Sequence, residues 1–190
     1  MSAETRSKLI KAARGVFAIK GCASSSMDEI TAAAGLTRGA LYHHFGGKKG
    51  LLHAVITQID KEMLERLSAI IEQATTSWDG FLQESIAYIN MALEPEIQRI
   101  MFLEGPAVLG DPSQWSSQNS CLRRTQSNIG RLCDDGILRP VDSLAAAHLF
   151  NGALRSVSIW VANSEDPLAT AEKAIEGFLI LTSGMFCEAD

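Results

Sequence analysis

Residues 26–45 read Ser26-Met27-Asp28-Glu29-Ile30-Thr31-Ala32-Ala33-Ala34-Gly35-Leu36-Thr37-Arg38-Gly39-Ala40-Leu41-Tyr42-His43-His44-Phe45, and this stretch decides the fold. Ser26 followed three residues later by Glu29 has the spacing of a capping box. The Ser hydroxyl can accept the Glu29 N–H while the Glu29 carboxylate reaches back to the N–H of Ser26. Ile30, Ala33 and Ala34 give the helix that follows an apolar face, and Gly35 ends it. Thr37 caps a second short helix, leaving only Gly35 and Leu36 for the turn. Two short helices joined by a Gly-centred turn make a helix-turn-helix, whose second helix enters the DNA major groove. Ala33, Ala34 and Gly35 let the helices approach closely, and Leu36 and Leu41 fill the wedge between them.

Outward from this motif the pattern stays helical. Leu9, Ile10, Ala13, Val16 and Phe17 share one face of a preceding helix, which Gly21 is placed to stop. After Gly46-Gly47, apolar residues recur from Leu51 to Ile71 at spacings of three, four and seven, predicting one long amphipathic helix from Lys48 to about Thr75. Asp79–Leu93 reads as helix, and Pro95 opens another that is interrupted at Gly105-Pro106. Pro112 is placed to begin a helix reaching about Asp135. Asp142 caps a small-residue segment to about Val161, and Asp166-Pro167 opens a final helix. No strand and no internal repeat is evident, so the class is all-α.

Composition narrows the function classes. Of 190 residues 46% are hydrophobic and 6% aromatic, and no run approaches the ~20 apolar residues of a membrane span. The N-terminus, with Glu4, Arg6 and Lys8, lacks the apolar core of a signal peptide, so the cytoplasm is the expected location. Cys22, Cys121, Cys133 and Cys187 are scattered without zinc spacing or a disulfide framework. The net charge of −5 is asymmetric: through His53 eight Lys and Arg stand against three Asp and Glu, with nine against nineteen in the remainder. The basic head suits a polyanion. No Gly-rich phosphate loop, GxSxG, paired-His metal motif or triad is present, so neither an enzyme nor a metal or cofactor is expected.

Met27-Asp28-Glu29-Ile30 through His43-His44-Phe45 resembles the DNA-binding signature of the tetracycline-repressor (TetR) family. Leu9-Ile10-Lys11-Ala12-Ala13, Val16-Phe17 and Gly21 resemble that family's first helix. The segment Phe102–Gly110, followed by Trp115, is more weakly similar to a Gly-Pro-Ala stretch in some members. The resemblance implies a three-helix DNA-binding head over 3–63, with its motif at about 26–45. A helical effector-binding and dimerisation domain over 64–190 follows. It also implies a homodimeric repressor that blocks a promoter and releases double-stranded operator DNA when a small molecule binds. Thr31, where the family usually has Ala, and the Gly46-Gly47 pair depart from the pattern.

Carried over residue by residue, the resemblance puts Thr37, Tyr42, His44 and Lys48 on phosphates, with Ser26 at the motif's start. Arg38, Gly39 and His43 then face base edges. Lys49 joins Lys48 at the N-terminus of the long helix, where free N–H groups favour phosphate. Met101, Phe102, Trp115, Asn119, Arg123 and Trp160 are the candidates for lining an effector pocket. Ala146, Gly152 and Ala153 permit close approach of a second protomer, and Ile175, Phe178, Leu179 and Met185 supply its apolar area. Two other readings stand beside this one: a DNA-binding regulator without a small-molecule effector, and one responding through Cys121 or Cys133.

Overall fold

The computed structural model describes residues 3–115 and 118–186, with the side chains of 118 and 119 excepted. In chain order the helices are α1 (Ala3–Ser24), α2 (Met27–Ala34), α3 (Arg38–Phe45), α4 (Lys48–Gln73), α5 (Ser77–Met91) and α6 (Pro95–Ile97). A π-helical stretch (Gln98–Glu104) follows, then α7 (Gly105–Leu109), α8 (Gln118–Asp134), α9 (Ser143–Asn163) and α10 (Pro167–Ser183). Among the described residues there is no strand, only an isolated antiparallel bridge between Leu138 and Phe186. The chain divides into two compact units: residues 1–62 with 95–112, and residues 63–94 with 113–190. Residues 95–112, placed with the second domain on sequence, therefore cluster with the first.

The first unit is built on α1. Leu9, Ile10, Ala13 and Phe17 are buried together with Ile30 of α2, Leu41 of α3, and Leu51, Leu52 and Ile59 of α4. Gly21 breaks α1 with φ 80°. A Cβ there would fall 2.1 Å from the Glu104 carboxylate, which accepts the N–H of Cys22 at 2.8 Å. Arg14 donates from Nε and Nη2 to Glu96 and from Nη1 to Glu62, each bond 2.7 Å. One guanidinium fork thereby ties α1 to α4 and α6, and bonding to Glu96 holds it firmly charged against the cost of burial. The π-helix follows from Pro106, which offers no N–H to the preceding turn. The N–H of Gly105 instead reaches Ile100, five residues back.

The second unit is held by an aromatic chain. Trp78 packs on Phe81 and edge-on to Phe186, Phe81 on Phe150 at 5.0 Å, and Phe150 on Phe178 at 5.9 Å. Ile89, Ile129, Leu132 and Leu138 complete the core. Thr76, Asp142 and Asp166 cap α5, α9 and α10 by accepting the N–H groups of Asp79, Ala145 and Ala169. Pro112 opens only a short 3-10 turn over Pro112–Gln114 rather than the long helix expected there; α8 starts at Gln118.

Candidate nucleic-acid interface

The motif forms from its own local chemistry. Ser26 Oγ accepts the N–H of Glu29 at 3.0 Å. The reciprocal half of the expected capping box is replaced, because Lys20 Nζ takes the Glu29 carboxylate at 2.5 Å. Gly35 ends α2 with φ 64°, and the N–H of Leu36 returns to the Thr31 carbonyl at 2.9 Å, closing a Schellman-type stop. Thr37 caps α3 by accepting the Ala40 N–H at 3.2 Å. Gly46 stops α3 with φ 68°, and Gly47 follows at 137°. Both glycines adopt positive-φ backbone that other residues rarely take, so the pair encodes a defined turn. Thr31, the departure from the family pattern, is buried and satisfied: its hydroxyl donates to Met27 and Asp28 carbonyls.

The outward residues of α3 form the candidate reading face. Thr37, Arg38, Gly39, Tyr42 and His43 are exposed, Tyr42 to 51%. Arg38 leans on Asp28, its Nε 3.4 Å from the carboxylate. Around Gly39 nothing in the protein crowds a Cβ beyond Thr37 Oγ1 at 3.8 Å, so the bare backbone there leaves room for something outside the chain. Ser26 and Lys49 are exposed, whereas His44 is half-buried with a buried Nε2 that finds no partner. Lys48 does not project freely: its Nζ donates to the Ala23 and Ser25 carbonyls at 3.2 and 2.9 Å. Without DNA it secures the turn between α1 and α2. Sequence reasoning passed over Gly50, whose Cβ would sit 1.9 Å from the Phe45 carbonyl. A glycine inside the first turn of a helix was the available signal.

The residues proposed from sequence for an effector fall in both units. Met101 and Phe102 are buried in the first unit, while Trp115, Arg123 and Trp160 belong to the second. Arg123 is exposed and Trp160 is 52% exposed on α9. The Asn119 side chain lies outside the described residues. Polar groups of the second unit pair with one another. Glu84 of α5 pairs with Arg124 of α8, which also donates to Ser68 of α4 at 3.3 Å. Thr125 donates to Asn151 Oδ1 at 3.0 Å.

The expected dimerisation residues differ in exposure within the protomer. Phe178 and Ala146 are buried, 5% and 3% exposed, and Phe178 packs on Phe150 of its own protomer. Helical geometry turns other residues outward: Leu149 and Trp160 on α9, and Leu168, Ile180 and Leu181 on α10, from 52% to 75% exposed. Gly152, Ala153, Ile175, Leu179 and Met185 are half-buried, and Gly152 has open space around it. Among the cysteines, burial pushes the Cys22 thiol above its ordinary range, while Cys121 and Cys133 are half-buried; Cys187 lies outside the described residues. Among the described residues no cluster of three His, Cys, Asp or Glu could hold a metal, and no helix is long and apolar enough to cross a membrane.

A helix-turn-helix with an open reading face, followed by further helices, is the architecture of a DNA-binding regulator. A family model of bacterial regulatory proteins of the tetR family matches residues 9–55, and one of tetracyclin repressor-like C-terminal domains matches residues 78–185. The chain therefore belongs to the TetR family of transcriptional regulators. It is 45% identical to a TetR-family regulator of Pectobacterium atrosepticum, whose crystal structure superposes with a TM-score of 0.92, covering 98% of this chain and 96% of that one. The TetC protein of transposon Tn10 from Escherichia coli is 28% identical over 85% of this chain and 82% of its own. The regulator UidR of Escherichia coli K12 is 38% identical over 100 residues, about half of each chain.

Proposed function

We propose that this protein acts in the cytoplasm as a homodimeric repressor. In this reading α3 lies in the major groove of a palindromic operator and leaves it when a small molecule binds the second unit. The role is non-enzymatic. The observation that carries it is the exposed face of α3: Arg38, Gly39, Tyr42 and His43 stand open on a helix locked at both ends by Thr37 and Gly46. Arg38 and His43 supply donors suited to base edges, while Tyr42, Thr37, Ser26, His44, Lys48 and Lys49 supply phosphate contacts. The outward apolar residues of α9 and α10 support self-association, since a monomer would leave them in water.

Selection from random duplexes, read by sequencing, tests the DNA assignment. Enrichment of a palindrome with half-sites one helical turn apart, roughly 34–36 Å, or a multiple of it, is the expected result. Enrichment of single, unpaired half-sites would overturn the dimeric reading. A small molecule releases the complex only as far as its affinities for the bound and free protein differ, so a hundredfold loss of DNA affinity needs about 2.7 kcal/mol of coupling.

A further inference from the structure

The second unit holds buried hydrogen-bond donors that its own fold leaves unused. Arg124 spends Nη2 on Glu84 and Nη1 on Ser68, yet its Nε is buried without an acceptor. Ser158 on α9 is fully buried, and its Oγ has no partner. A helical serine ordinarily returns its proton to a carbonyl one turn back, as Ser85 does to Phe81 at 2.8 Å. Ser158 does not. Trp115 buries a third donor, its Nε1, also without an acceptor. Arg Nε–H and Trp Nε1–H can only donate, and a serine hydroxyl can donate as well.

Two of these donors lie on neighbouring helices. A short connection makes α8 and α9 antiparallel neighbours, and the Thr125–Asn151 bond fixes their register. Arg124 is adjacent to Thr125. Ser158 stands seven residues beyond Asn151, two turns along the same stripe of α9, or about 10 Å at 1.5 Å per residue. Ile89, Ile129 and Phe150 supply the apolar surroundings of this unit.

From these donors we infer the chemical class of the effector: a largely apolar small molecule that is rich in acceptors and poor in donors, carrying carbonyl-type oxygens at two points received by Arg124 Nε and by Ser158 Oγ. Glu84 already balances the Arg124 charge, so the acceptors are uncharged ketone, ester or lactone oxygens rather than carboxylates. A ligand that brought its own N–H groups would leave the donors unpaired and add more. This inference rests on the effector-released reading above.

The full-length dimer on its selected operator is challenged with ketones, esters and lactones, and with amines and alkanes of matched carbon number. Release is followed by fluorescence anisotropy. Release confined to the carbonyl-bearing compounds is expected. Ser158→Ala should need at least tenfold more of the most effective compound. Without any compound, Ser158→Ala and Trp115→Phe should both unfold at or above the wild-type midpoint, because each removes a donor that nothing in the protein accepts. Equal release by amines or alkanes, an unchanged response in Ser158→Ala, or a lower midpoint in both variants would overturn the inference while leaving a ligand-responsive regulator standing. Failure of every compound and of a whole metabolite extract to release the operator would overturn the ligand-responsive reading itself, and this inference with it.

Discussion

The guanidinium of Arg38 rests against the carboxylate of Asp28, joining the first turn of the reading helix to the first turn of the helix before it at 3.4 Å. The side chain proposed to read bases is therefore held in a defined place before DNA arrives, by a group of the sign that DNA repels.

Asp28→Asn should strengthen operator binding. The pair is exposed and worth under about 1 kcal/mol, so freeing Arg38 and removing a negative charge near phosphate should gain a few-fold in affinity. Titration of labelled operator with wild type and variant measures it. Weaker binding by Asp28→Asn would show that the carboxylate positions Arg38 for its contact. Arg38→Ala, by contrast, should cost roughly 1–3 kcal/mol on the selected sequence and little on scrambled DNA.

Two helical glycines should respond oppositely to alanine. Gly50→Ala drives a methyl into the Phe45 carbonyl, which is backbone and cannot step aside, so the variant should lose more than about 2 kcal/mol of stability together with DNA binding. Gly15, in α1, has nothing within 4 Å of a new Cβ. Its replacement by Ala should gain about 0.5–1 kcal/mol by lowering the entropy of the unfolded chain. Urea unfolding of the two variants decides this.

Acid should weaken the first unit through Glu62. Burial raises this carboxyl's pKa, but hydrogen bonds from Arg14 and Gln58 outweigh that and leave it below its ordinary value of 4.5. A lowered folded-state pKa contributes stability above the unfolded value and loses it as pH falls through the folded one. Glu84 behaves oppositely: burial raises its pKa despite Arg124, so its contribution is full in acid and declines as pH rises through the folded value. Replacing Glu62 by Gln should flatten the loss of stability below about pH 4.5, as read from unfolding midpoints across pH.

Self-association should depend on the outward residues of the last two helices. Leu149→Asp with Leu181→Asp should give folded monomers that bind operator much more weakly. Phe178→Asp should unfold the second unit, because it places a charge against Phe150. Sedimentation and circular dichroism separate the two results. A double variant still sedimenting as a dimer would move the interface elsewhere.

The all-α class, the helix-turn-helix and the family were legible in the sequence because local rules decide them. Ser26, Gly35, Thr37 and Gly46 act on backbone within a few residues of themselves, and the apolar stripes of α1 and α4 repeat at helical spacing wherever the chain goes. The reading helix was legible for the same reason, since its exposed set follows from eight residues of helix. Tertiary structure alone decided which partners those residues take. Glu29 goes to Lys20 rather than to its own cap, and Lys48 goes to the carbonyls of the α1–α2 turn. The grouping of residues 95–112 with the first unit depends on Arg14, Arg99 and Glu104 meeting groups some 80 residues away. Facing likewise belongs to the fold: on α10 the periodicity marks Phe178, Ile180 and Leu181 alike as apolar. Only packing against Phe150 turns the first inward and leaves the other two to water. The unmatched donors Arg124 Nε and Ser158 Oγ are invisible in sequence for the same physical reason, because a hydrogen bond left unmade is a property of everything that surrounds an atom.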